Sequence, residues 1–582
     1  MDGRRQGIAL AMVMLLMLVL GSIATGAAMI SSNTWLMSQY RERQGTLAMV
    51  ADAGLEEGRA RLNGDKTLYP DTAFNTIENA VQVRDAFGTV IPGVRRWTYV
   101  GPIGVTTGQY GVFGSVVSIA EAGNGDRVIR RLEVVQESFA KYAYFTDIEP
   151  STIAFGGGDQ LFGPVHSNDD IQIYNSGATF HGPVTTSGTI TGRNYGTFRQ
   201  GYTEKVRRIP MPATAELNKL RTYAQNGGTA FTSSTAGTIG QARLRLEFLH
   251  IDLDGDGEAD DDEGFMRVYD GGSSSSAPAY VVGAIPSGGM RNSLTCGHYH
   301  GNQFISAKEH TANSGNNAWY NHLAQSDRRC YPGGHPAIND HGAFSPTDIN
   351  GLGGYKPWTG PIDSRVSAAR ATFGDAGYLF PLSRKLNPGF KGVVFVDGKV
   401  AIMGTLRARI TLAATNNIVL MDDVTYSVDP GAGSCTDILG LFSGRDVVVS
   451  DNPINAPAQT NGNTYYTYDD TPAEFIHGVV LALENFEVEN YDGGSANSQS
   501  CESTQWGRGC LYLTGGIIQS TRGAVGTSAG TGYLKRYSYD PCAFTDPPPY
   551  FPTTGHFARG RVLEIDPTGF SISSLFDLLT PN

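Results

Sequence analysis

The segment Met1-Asp2-Gly3-Arg4-Arg5-Gln6-Gly7 leads into Ile8-Ala9-Leu10-Ala11-Met12-Val13-Met14-Leu15-Leu16, and no charge interrupts the chain from Ile8 to Ile30. These 23 residues suffice to cross a ~30 Å hydrocarbon layer as a helix. Arg4 and Arg5 precede the run, and no further Lys or Arg occurs before Arg41. That asymmetry places the N-terminus inside and the bulk of the chain outside. A plain signal anchor has the same layout. A secretory signal peptide would have a shorter apolar core of roughly 7–15 residues followed by a small-residue cleavage site, for which Ala24-Thr25-Gly26-Ala27 is the candidate.

Past the apolar run, Leu36, Tyr40, Leu47, Ala51, Leu55, Gly58 and Leu62 recur at helical spacing, with Arg41, Glu42, Arg43, Asp52, Glu56, Glu57, Arg59 and Arg61 supplying the polar remainder. No proline precedes Pro70, and Asn63-Gly64 is an end signal. Gly45 and Gly54 weaken the helix locally. The spacing predicts one helix over 8–63, roughly 80 Å long at ~1.5 Å per residue.

Gly7 before an apolar stretch resembles a prepilin peptidase site, with cleavage between Gly7 and Ile8. Arg41-Glu42-Arg43-Gln44, Ala48 and Ala51-Asp52-Ala53-Gly54-Leu55-Glu56-Glu57 resemble the N-terminal signature of PilX-type minor type IV pilins. The resemblance covers about sixty residues. It implies removal of a 1–7 leader, methylation of the new N-terminus, inner-membrane residence as a single-pass protein, and then incorporation into an extracellular pilus. The implied partners are prepilin peptidase and other minor and major pilins. Major pilins have Glu at the fifth mature position, where it pairs with a neighbour's terminal amine; here that position is Met12. An unpaired charge in an apolar bundle is costly, so the departure suits a filament end better than a repeating position.

Glycine, at 74 of 582 residues, is nearly twice its usual share. Thr, Val, Ile and Tyr at short spacing read as β-structure rich in turns. The net charge of −12 excludes a general polyanion binder. All six cysteines lie beyond the apolar run, and an even number outside the cytoplasm favours disulfides. Cys501 with Cys510 and Cys296 with Cys330 are the preferred local pairs, leaving Cys435 with Cys542. A metal site at Cys296, His298, His300 and Cys330 is the alternative there, but the spacing is not that of a zinc site.

Residues 64–93 read as loop. Arg95–Val100, Gln109–Ala120 and Arg127–Gln136 read as an antiparallel meander, completing a pilin-like layout over 64–138. From about Ala140 the texture changes. Leu161-Phe162-Gly163-Pro164-Val165-His166-Ser167-Asn168 is echoed by Thr179-Phe180-His181-Gly182-Pro183-Val184-Thr185-Thr186, and a fixed period in a β-rich segment predicts stacked coils. The runs at Val393–Val396, Val400–Gly404, Ile410–Ala414, Ile418–Met421, Leu439–Phe442, Val447–Ser450, Gly478–Ala482 and Cys510–Thr514 have the same character. This part resembles the large extracellular domain of PilX-like proteins, which implies a β-solenoid over 139–559 with irregular insertions near 200–380, including a short helix near Thr214–Ala224 and a low-complexity tip at Ser273–Ser276. A C-terminal segment, 560–582, follows. The expected fold is mainly β: a long pilin-type α-helix with a small antiparallel sheet, plus a large β-solenoid.

Asp252-Leu253-Asp254-Gly255-Asp256-Gly257-Glu258-Ala259-Asp260-Asp261-Asp262-Glu263 fits a twelve-residue calcium loop. Asp252, Asp254 and Asp256 can aim oxygens at one point, Gly257 permits the turn, Glu258 supplies its carbonyl, Asp260 a water or carboxylate, and Glu263 a bidentate carboxylate. A structural Ca2+ is therefore expected; a solvated acidic loop is the alternative. Arg384, Lys385, Lys391, Lys399, Arg407 and Arg409 form one basic group, and Arg193, Arg199, Lys205, Arg207 and Arg208 another, interleaved with Tyr195, Phe198 and Tyr202. Residues one coil apart lie about 4.8 Å apart, so the first group is expected to form a stripe that follows a DNA phosphate backbone without reading sequence; an ordinary solvated face is the alternative. No G-x-S-x-G, P-loop or H-E-x-x-H motif occurs. His166, His181, His298, His300, His310, His335 and His341 fall at no triad spacing, so no catalysis is expected. The functional expectation is a tip-associated minor pilin that captures extracellular, double-stranded DNA for natural transformation. The rivals are a pilus-tip adhesin for surfaces or glycans and a secretion-system pseudopilin.

Overall fold

The computed structural model describes residues 3–70, 73–103, 109–270, 294–300, 303–306, 329–332, 354–367, 376–451, 473–493 and 499–579. The Ser273–Ser276 tip, His310, His335 and His341, and the side chains of Cys296, His298, His300 and Cys330, lie outside these residues. The chain is mainly β, with a long apolar N-terminal helix and an antiparallel sheet. It divides into two compact units. One is built from residues 1–107, 112–136 and 555–582, and the other from 108–111 and 137–554.

In the first unit, helix α1 spans Gly3–Gly64 without a break. It is the one helix among the described residues long and apolar enough to cross a membrane. From Ile8 to Tyr40 its large apolar side chains are exposed. From Leu47 onward a single stripe is buried: Leu47, Val50, Ala51, Leu55 and Leu62. That stripe packs on an antiparallel sheet of β1 (Asn75–Arg84), β2 (Val90–Gly101), β3 (Phe113–Ala122) and β4 (Arg127–Ser138). The glycine at 58 is needed for close approach, because a Cβ there would run into Val116 and Thr98 of the sheet.

Strands β2 to β4 lie where the alternation predicts them. Strand β1 falls in a segment expected to be loop. It is an edge strand with three register shifts against β2, and bulges destroy the period-2 pattern by which a strand is read. Its buried Glu78 accepts two bonds from Arg96, at 2.8 and 2.7 Å, and one from Thr98 at 2.6 Å. The strand Thr553–Ile565 joins the sheet beside β4, so the boundary expected after 559 falls within a strand.

The second unit is a long parallel ladder of short strands. Val165, His166 and Ser167 face Val184, Thr185 and Thr186, an offset of 19 residues. The two Gly-Pro-Val segments therefore stack on each other. The coils meet at Gly163 and Gly182, where a Cβ on Gly182 would strike the Gly163 carbonyl. Elsewhere the offset is 18 between Asp397 and Thr415, 29 between Asn417 and Asp446, and 39 between Asp446 and Asn485. Enlarged loops thus hide the period while the strands stay in register. Helix α2 (Thr214–Asn226) forms where the sequence places it.

Alternate residues of each strand point into a dry interior that includes Leu161, Phe180, Val394, Leu412, Leu441 and Val480. On one column of strands the other face is covered too. Phe395, Ala413, Phe442, Leu481 and Ile518 pack beneath Leu217, Leu220 and Ala224 of α2 and beneath Phe551. Burial on both faces explains why these strands read as continuous apolar runs. Disulfides join Cys435 to Cys542 and Cys501 to Cys510 as expected. The backbone pairs Cys296 opposite Cys330.

The coils are not stacked in chain order. The strand Tyr144–Ile148 lies between Cys510–Thr521, near the end of the unit, and Val165–Ser167, its own successor. The stack thus begins at Ala230–Thr232, proceeds to Leu534–Tyr539, and is continued by residues 144–203. At the join one ion pair is buried, Arg522–Glu149 at 3.0 Å, and in a second, Lys535–Asp159 at 2.9 Å, the carboxylate is buried and the lysine partly so. The Arg522 guanidinium also sits 3.8 Å from the Phe155 ring centroid. Removing one partner of such a pair leaves an uncompensated charge, at a cost of about 3–5 kcal/mol. Arg522→Met is therefore expected to destabilise the protein by that amount in denaturant unfolding, with Arg522→Met/Glu149→Met recovering much of the loss.

Candidate functional site

The acidic loop connects the antiparallel strands Leu244–His250 and Gly264–Asp270. Within it the carboxylate oxygens of Asp252, Asp254 and Asp256 can lie within 4.8 Å of one another. Asp252 accepts from the Gly255 and Gly257 amides at 2.6 and 3.0 Å, and Asp256 accepts from the Glu258 amide at 2.8 Å. Gly255 and Gly257 both adopt left-handed φ, 81° and 80°, as a loop that turns back on a centre requires. Glu263 is buried and holds the loop closed, accepting from Leu253 N at 2.5 Å and Asp260 N at 2.9 Å.

The charges are uneven. Bonds from the Gly255 amide hold the Asp252 carboxyl below the usual range. Asp254 is exposed and accepts from the Asp256 amide, yet slight desolvation within the loop and the charges of Asp256, Asp260 and Glu263 push its carboxyl up. A divalent cation at the triad would relieve that repulsion, so the donor set fits calcium.

The first basic group does not form an exposed stripe. Lys399 is buried and donates to the Gly237 and Thr238 carbonyls at 3.0 and 2.8 Å. Arg407 is buried between Asp260 O, Asp261 and Asp437 at 2.9, 3.0 and 3.1 Å. Lys385 pairs with Asp262 at 2.8 Å. Arg384 donates to Gln109 and to the Phe390 carbonyl, and Arg409 to the Cys435 and Asp546 carbonyls. Lys391 is half-buried. Arg384, Lys385 and Arg407 share a cleft of about 520 Å³ with Asp260, Asp261 and Asp262. Carboxylates thus balance the guanidinium and ammonium groups, and the loop is braced from outside.

The second basic group is exposed, on the last coils of the ladder. Arg193 pairs with Glu204 at 3.3 Å and Arg208 with Asp147 at 2.8 Å. Among the described residues, no ion pair joins Arg199, Lys205 or Arg207 to a carboxylate. Around them the surface is aromatic. Phe162 and His181 stand on neighbouring strands with rings stacked at 3.9 Å and 12°. The next position in that row is Arg199, whose amide bonds to the Phe180 carbonyl just as the His181 amide bonds to that of Leu161. Partial burial and the Arg199 charge hold His181 below the ordinary imidazole range. The spacing of His166 and His181 suggests packing within the coils for both; His181 instead stacks on the exposed Phe162. The signal for that row was nevertheless present: Phe162 and His181 both directly precede Gly-Pro-Val.

His166 has a packing role. Its ring is buried against Phe145, with Nδ1 2.8 Å from Thr185 Oγ1 and Nε2 3.0 Å from Asn168 Oδ1.

Among solved structures the chain is similar to the competence-associated pilin ComZ from Thermus thermophilus, at 10% identity over 84% of this chain and 87% of that one, with a TM-score of 0.23. No family model and no curated protein matches the sequence. At that score the likeness settles neither fold nor activity, which rest on the residues described above.

Burial holds both His166 and His477 below the ordinary imidazole value of 6.5. The folded state therefore binds fewer protons than the unfolded chain as pH falls through that value. Their contribution to stability is complete above about pH 6.5 and is lost progressively below it. Melting temperature is expected to fall on acidification from pH 7, and His166→Gln/His477→Gln should flatten that dependence.

Proposed function

We propose that this chain is a membrane-anchored minor type IV pilin of the PilX-like kind, whose parallel ladder is a β-solenoid displayed outside the cell to capture DNA for uptake. The observation that carries the pilin reading is α1. One unbroken helix has an exposed apolar half of membrane-spanning length, and its other half is buried on a small antiparallel sheet. An apolar half with no partner among the described residues needs lipid or other subunits around it. The implied partners are other pilins and the prepilin peptidase, acting at Gly7 and Ile8.

The DNA reading is supported by the second basic group rather than by the residues around 384–409. Arg199, Lys205 and Arg207 are exposed and make no described ion pair, so their charge is available to phosphates. No base-reading element accompanies them, which suits sequence-tolerant capture. The full-length protein in detergent is expected to bind DNA with an affinity that falls steeply with salt. Arg199→Glu/Lys205→Glu/Arg207→Glu should lower the slope of log K against log salt by roughly 2–3, whereas Lys385→Glu should not change it. Absence of binding at low salt would move the reading to an adhesin.

The acidic loop is proposed to hold a structural Ca2+ through Asp252, Asp254, Asp256, the Glu258 carbonyl, Asp260 and Glu263. Chelator is expected to lower the melting temperature of the unmodified protein. Asp254→Ala/Asp256→Ala should melt low with or without chelator; no chelator effect on the unmodified protein would make the loop a solvated turn.

A further inference from the structure

Among the described residues of the second unit, Tyr110 and Phe544 are exposed elsewhere, but four exposed aromatic rings share the last coils with Arg199, Lys205 and Arg207. Phe162, Tyr174, Tyr195 and Tyr202 are 42%, 50%, 45% and 43% exposed. A phosphate-only track needs none of these rings.

Their arrangement follows from the coil register. Leu161, Phe180 and Phe198 point inward on three successive strands, so Gln160, Thr179 and Thr197 point outward between them. Along one border of that outward face run Phe162, His181 and Arg199. Along the other lies the corner bearing Tyr174 and Tyr195, each following one short strand and preceding the next in its own coil. Tyr202 closes the open end of the interior. It packs on Phe198 at 5.0 Å, and the Arg193 guanidinium lies 5.6 Å from its ring centroid. The face is thus a polar strip of amide and hydroxyl groups bordered by π-systems and cations.

We infer that this face stacks unpaired bases, and that the protein prefers single-stranded to duplex nucleic acid. The inference rests on the DNA reading above and narrows its ligand. In a duplex the π-faces of the bases are hidden in the stack, and only phosphates and groove edges meet a protein surface. In a single strand each base has a free π-face, and stacking on an exposed ring is worth about 1–3 kcal/mol per base whatever its identity. Arg199, Lys205 and Arg207 supply the phosphate attraction, and the aromatic borders supply the selectivity for unpaired strands.

The test uses the full-length protein in detergent and two fluorescent probes of equal nucleotide count, a single-stranded oligothymidylate and a blunt duplex, compared by anisotropy across a salt series. The single strand is expected to bind at least about tenfold tighter. Tyr174→Ala/Tyr195→Ala should weaken single-strand binding about tenfold or more, leaving the salt slope and duplex binding unchanged, and Tyr174→Phe/Tyr195→Phe should restore it. These side chains are half exposed, so the variants should melt with the unmodified protein. Equal or tighter duplex binding, or single-strand binding indifferent to the alanine pair, would overturn the stacking inference and leave DNA capture standing. Absence of binding to either probe at low salt would overturn both.

Discussion

The parallel backbone ladder is the constraint to which everything in the second unit answers. Strands of two to twelve residues cannot satisfy their own amides, so each depends on a neighbouring coil, and the coils must keep register whatever the loops between them do. That requirement fixes the inward positions as a continuous apolar column. It explains the glycines where backbones touch, as at Gly163 and Gly182. It also lets the offset grow from 18 residues to 39 with no change in pairing. Loops are free to lengthen because the hydrogen-bonded strands do not feel them.

The same constraint separates what the sequence discloses from what it conceals. Val393–Val396 and Leu439–Phe442 are legible as strands because both their faces are buried. Helix α1 is legible because charge is absent from Ile8 to Ile30 and periodic after Leu36. Strand β1 is not, because its bulges break the alternation. The basic residues at 399 and 407 look like a surface stripe in one dimension. Their partners, the Gly237 carbonyl and the Asp261 carboxylate, are 162 and 146 residues away, and no local pattern signals such distant partners. The clustering of Asp252, Asp254 and Asp256 is legible because the three are close neighbours in the sequence. The Phe162–His181 row is an intermediate case: the Gly-Pro-Val echo aligns the two residues, but only the stacking shows that both face outward.

Charge is handled differently in the two places where it accumulates. Near the acidic loop, Arg365, Lys385 and Arg407 close on Asp261 and Asp262, so cations and carboxylates neutralise one another and brace a turn. On the last coils Arg193 and Arg208 are paired with carboxylates, bonds from Thr189 and the nearby Lys205 charge hold the Asp170 carboxyl below its usual range, and Arg199 and Arg207 are exposed without a described ion pair. A chain of net charge −12 can still present exposed cations to an anion, because the attraction depends on charge within about one Debye length, ~8 Å at physiological salt.

The order of the coils also bears on how the molecule is made. The strand Tyr144–Ile148 needs the strand Cys510–Thr521 on one side, and Glu149 needs Arg522, 373 residues later. At ~5–20 residues per second, the emerging chain exposes that strand edge for on the order of 20–75 s. The coils synthesised first are therefore the last to be enclosed. Throughout that interval, an unpaired edge and a carboxylate destined for the interior remain open to water and to other chains.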